Sequence, residues 1–67
     1  MAIEAVVASN LKVLREKHGL TQEALAHLAG ISVSLVSLVE RGERSPLLAT
    51  IERLADALKE DPLEFFN

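Results

Sequence analysis

The stretch from Thr21 to Gly42, TQEALAHLAGISVSLVSLVERG, decides the fold. It reads as two short helices joined by a tight turn. Thr21 is a good N-cap, Gln22 and Glu23 fill the first turn behind it, and Ala24, Leu25 and Leu28 make an apolar stripe at helical spacing. Gly30 is a C-terminal stop that can take positive φ, and Ile31 is the apolar residue just beyond it. Ser32 caps a second helix in which Leu35, Val36 and Val39 are spaced for burial, and Gly42 ends it. The signals place these helices at about residues 22–29 and 33–41, so close together that they must cross steeply, as a helix-turn-helix does.

Working outward, Ile3 to Lys17 reads as a first helix with Ile3, Val7, Leu11 and Leu14 on one face. His18-Gly19 ends it, and Leu20 packs under the turn. Val6 and Val13 fall off that face, as ordinary surface residues or as part of a subunit contact. Downstream, Ser45 and Pro46 stand as cap and first-turn residue of a fourth helix, with Leu48, Ile51, Leu54, Ala55 and Leu58 on its core face. Asp61-Pro62-Leu63-Glu64 has the form of a helix start, with cap, N1 proline and a carboxylate that complements the dipole. It opens a short fifth helix holding Leu63, Phe65 and Phe66. The expectation is one all-α domain over 1–67, a compact five-helix bundle.

On these residues the chain resembles the Cro/repressor-like (Xre-type) helix-turn-helix transcription regulators, whose fold is that of the lambda-repressor-like DNA-binding domains. The resemblance rests on LKVLREKHGLTQEALAHLAGIS (Leu11 to Ser32) and VERGERSP (Val39 to Pro46), and continues weakly through LATIERLADAL. One departure is Leu47, where the family more often has a serine or threonine after the proline. The resemblance implies that Arg15 and Glu40 form a partly buried ion pair tying the first helix to the recognition helix. Such a pair fixes orientation more than it adds net stability.

Composition bounds the function. A chain of 67 residues is one small domain. It contains no cysteine, so disulfides and thiolate metal sites are excluded and a reducing compartment fits. His18 and His27 are isolated from other ligands, so no metal or cofactor is expected. No basic stretch precedes an apolar run as in a signal peptide, and no run reaches the ~20 residues of a membrane span, so the sequence reads as soluble and cytoplasmic. No nucleophile, base and acid fall into a convergent set, so an enzyme is not expected.

The net charge of −3 runs against a nucleic-acid partner. Its distribution softens the objection. Five bases and five acids balance up to Arg44, and the whole excess lies in residues 45–67, where Glu52, Asp56, Glu60, Asp61 and Glu64 face only Arg53 and Lys59. That third of the family's fold lies away from DNA, which implies modest non-specific affinity and a shallow salt slope.

The resemblance places Val33, Ser34, Ser37 and Leu38 at the family's base-reading positions. Serines can donate to or accept from any base edge, whereas Val33 and Leu38 can meet only thymine methyls. The family's commoner Arg, Gln, Asn or Lys is missing here. For Val33 and Leu38 the alternatives are a thymine-reading surface and a partner-protein surface. Backbone positioning falls to Gln22 at the start of the second helix, to Arg41 and Arg44 after the recognition helix, and to the hydroxyls of Thr21 and Ser32. One domain contacts too little DNA for useful specificity, so a homodimer on an inverted repeat in duplex DNA is expected. Leu63, Phe65 and Phe66 are the candidates for its contact, one phenylalanine inward and one at the interface. The rival reading is a protein-interaction module that recruits a partner protein through Val33, Leu35 and Leu38.

Overall fold

The computed structural model describes residues 2–67, so Met1 of the expected domain lies outside the described residues. The elements in order are α1 (Ile3–Lys17), α2 (Gln22–Ala29), α3 (Val33–Glu40), α4 (Leu48–Leu58) and a 3-10 helix (Pro62–Phe66). The architecture is all-α, and the short fifth helix is of the 3-10 type. Five residues close at most one α-type hydrogen bond, and the tighter i→i+3 pattern suits so short a piece.

The helix boundaries have local causes. Thr21 accepts from the Ala24 N–H at 3.0 Å and Ser32 from the Leu35 N–H at 3.1 Å, so α2 and α3 both start on hydroxyl caps. Gly30 ends α2 in the left-handed region at φ 70°, and the next residue, Ile31, donates back to the Ala26 carbonyl at 3.0 Å. The same closure ends α4, but there Lys59 takes the left-handed position at φ 55°, with Glu60 donating to the Ala55 carbonyl. Between α2 and α3 the chain bends by 118°.

Leu11, Leu25, Val36, Leu54 and Phe65 meet at the centre, fully enclosed. Helix α2 packs on α3 and α4, and α1 packs on α3 and the 3-10 helix. Three expectations about the core need correction. In α2 the inward residues are Leu25, Ala26 and Ala29, and Leu28 is 58% exposed. That helix is pinched between α3 and α4, so its buried arc is wide and takes small residues where backbones approach. Ile3 is exposed and Ala8 is buried in its place, because the first turn of α1 projects past the core. Leu48 is 75% exposed for the same reason at the start of α4. That helix begins at Leu48, capped by Leu47 without a side-chain bond, and not at Pro46. An extended chain covers about twice the distance per residue of a helix, and residues 44–47 use that reach to cross from α3 to α4.

Long-range polar bonds close the bundle. The Asn10 amide donates to the carbonyls of Phe65 and Asn67, both at 3.0 Å, which pins the 3-10 helix on α1. Arg53 of α4 donates to the Gly30 carbonyl at 3.3 Å in the helix-turn-helix bend. Glu60 receives His18 at 2.7 Å and Lys17 at 3.0 Å from the end of α1. Those two bonds, His18 first, hold the Glu60 carboxyl below the usual carboxylate range.

Candidate DNA-binding site

The face of α3 opposite Val36 and Val39 is left to solvent, and the 3.6-residue repeat dictates which residues occupy it. Val33 and Ser34 are exposed, and Ser37 and Leu38 are half-buried. With Gln22 from the first turn of α2 and Arg41 from the C-cap of α3, these side chains line one shallow, open depression. Of the other residues expected at the site, Thr21 and Ser32 are spent as helix caps, though a hydroxyl that accepts from a backbone N–H keeps its own proton to donate. Arg44 lies apart, lining a neighbouring depression with Leu35, Pro46, Leu47 and Thr50.

Beneath this face lies a charged junction. Arg15 grips Glu40 through Nε at 2.6 Å and Nη2 at 3.0 Å, and its Nη1 donates to the Leu20 carbonyl at 2.7 Å. The side chains are 11% and 4% exposed. The hydrogen bond to Glu40 raises the Arg15 pKa above its ordinary value against the opposing effect of burial. Gln22 joins the same carboxylate, Nε2 to Oε1 at 3.1 Å. Sequence reasoning missed this bond, because it links residues 18 apart and no local pattern reports it. Its consequence is electrostatic. Glu40 is the one charged residue of α3, and with Arg15 and Gln22 on it the helix presents an uncharged face to an incoming anion.

A side chain presented this way, at the start of the second of two helices bent by more than a right angle, is the arrangement that enters a major groove. The sequence pattern of the helix-turn-helix family matches residues 11–65. The chain belongs to the helix-turn-helix transcriptional regulators. Among helix-turn-helix relatives, an uncharacterized HTH-type transcriptional regulator of Sinorhizobium fredii is 41% identical over 58 residues, spanning 87% of this chain and 75% of the relative. The restriction-modification controller protein C.AhdI from Aeromonas hydrophila superposes with a TM-score of 0.91 at 43% identity, covering 94% of this chain and 96% of its own. A helix-turn-helix family regulator from Vibrio cholerae superposes with a TM-score of 0.92 at 38% identity over 96% of this chain, which spans only 36% of that longer protein.

The candidates for a subunit contact divide. Phe65 is fully buried within the single chain, so it belongs to the core and has no surface to offer. Phe66 is 40% exposed and Leu63 is largely exposed. Phe66 lines an apolar groove with Ile3, Val7, Pro46, Leu48 and Ile51, so the first-turn residues that project past the core gather around it. No single helix among the described residues is long and apolar enough to cross a membrane, and no group of potential metal ligands occurs among them.

Proposed function

We propose that this chain is a homodimeric, site-specific DNA-binding transcription regulator of the cytoplasm, acting by occupancy of an inverted-repeat operator, without cofactor or catalysis. The observation that carries the reading is the single depression in which Gln22, Val33, Ser34, Ser37, Leu38 and Arg41 converge. Helix α3 enters the major groove, with Val33, Ser34, Ser37 and Leu38 toward base edges. The first turn of α2 abuts the backbone, where the free N–H groups at its start and the Gln22 side chain face phosphate. Arg41 reaches a flanking phosphate by releasing Glu43, held at 3.1 Å in a pair more than half exposed on both sides and therefore weak. Arg44 contacts phosphate further out. The likeness to a restriction-modification controller supports the regulatory role. The groove around Phe66, with Leu63 beside it, supplies the twofold contact, which sets half-sites about one helical turn apart.

Selection from random duplex DNA at low and near-physiological salt tests the reading. An inverted repeat with that spacing is expected to enrich. Arg41→Ala should weaken binding to all sequences about equally and lower the salt slope by about two, one for each subunit of the dimer, and Ser34→Ala should weaken only the preferred site. Absence of enrichment at both salts, with both variants indistinguishable from the parent, refutes it.

A further inference from the structure

We propose that the operator is read chiefly through thymine C5-methyl groups, with Val33 and Leu38 as the specificity-determining residues; this rests on the DNA-binding reading above. Helix α3 itself carries no Arg, Lys, Asn or Gln, so it offers no bidentate pair to a base edge. Glu40 points inward and is occupied by Arg15 and Gln22. The Gln22 amide gives one N–H to that carboxylate at 3.1 Å and sits at the first turn of α2, where it faces phosphate and not a base edge. Arg41 lies past the last helical residue, two turns beyond the N-terminal turn that penetrates deepest, and pairs with Glu43.

What remains on the first two turns is a strip of two i, i+4 pairs, Val33 with Ser37 and Ser34 with Leu38, so an apolar and a hydroxyl group alternate diagonally across it. The thymine methyl is the single apolar feature that any base presents in the major groove. Against it Val33 and Leu38 gain contact, while against guanine, cytosine or adenine they strip water from donors and acceptors and return no hydrogen bond. The serines can bond more than one base edge, so their contacts in the docked complex discriminate among bases less sharply than those of the apolar pair. Discrimination on this face therefore comes from methyl contact and from exclusion of bare polar edges.

The test is selection in parallel from two random duplex libraries, one built with thymine and one with uracil, which lacks only the methyl group. The thymine library should enrich an inverted repeat with thymines at matching places in both half-sites. Replacing one such thymine by uracil should weaken binding about fourfold, and replacing two in each half-site roughly two-hundredfold, as expected for loss of buried methyl contacts. Val33→Thr, which keeps the side-chain shape and puts a hydroxyl in place of a methyl, should bring the thymine-to-uracil ratio at its own base close to one. The same repeat enriched equally from both libraries overturns the methyl reading and leaves DNA binding standing. Enrichment from neither overturns both.

Discussion

Replacing Arg15 by methionine tests the junction under the recognition helix most directly. The substitution keeps the aliphatic stem and removes the three donated hydrogen bonds, two to Glu40 and one to the Leu20 carbonyl. Glu40, only 4% exposed, would keep just the Gln22 amide at 3.1 Å. Stranding one partner of a buried pair costs about 3–5 kcal/mol, and an orphaned carbonyl about another 1 kcal/mol. At about 0.05–0.15 kcal/mol per residue, a domain of this length has roughly 3–10 kcal/mol in all, so Arg15→Met should bring it close to the edge of unfolding. Urea denaturation followed by circular dichroism at neutral pH would show the midpoint falling with the slope unchanged. Because the cost lies in the unpaired charge, the double variant Arg15→Met, Glu40→Leu should recover to within about 1 kcal/mol of the parent. A loss below about 1 kcal/mol in the single variant, or a double variant no more stable than the single, would refute the reasoning.

Other outcomes follow from the same geometry. Phe65→Ala should cost about 3–5 kcal/mol by opening a cavity, whereas Phe66→Ala should leave the urea midpoint nearly in place and shift sedimentation toward monomer. The reverse pattern would exchange their roles. Glu60 titrates lower in the folded chain than its ordinary 4.5, so its contribution is complete above the unfolded value and disappears as the pH falls through the lower folded one. The gap in melting temperature between the parent and Glu60→Gln should therefore shrink as the pH is lowered through 4.5 and below; a constant gap would count against the His18 and Lys17 contacts. Lys59→Gly relieves a left-handed backbone and should raise the melting temperature by about 4 °C, measured by thermal unfolding, where an unchanged or lower value would show no strain at φ 55°.

What the sequence could tell was local. Thr21, Gly30 and Ser32 announce the two short helices because each acts on backbone groups within four residues of itself. Periodicity likewise separates Val36 and Val39 from the solvent face of α3. It cannot say where a neighbouring helix stops, so Ile3 and Leu48 carry the right spacing and still stand outside the core. Nor does it weigh a wide buried arc against a stripe, which is why Ala26 and Ala29 lie inside and Leu28 does not. The bonds from Gln22 to Glu40 and from Asn10 to Phe65 depend on tertiary placement. For Asn10 a faint signal existed, a poor helix former in the middle of α1 one position before Leu11.

The Asn10 clasp also bears on how the polypeptide is made. It joins residue 10 to residues 65 and 67, so the side of α1 that packs on the 3-10 helix is synthesised well before the residues that cover it. At about 5–20 residues per second, the interval between the end of α1 and Phe65 is a few seconds. Throughout it the side of α1 that meets the 3-10 helix stays uncovered. The domain therefore completes its fold only after translation has passed Phe65, and a nascent chain halted in α4 would present that uncovered side to chaperones.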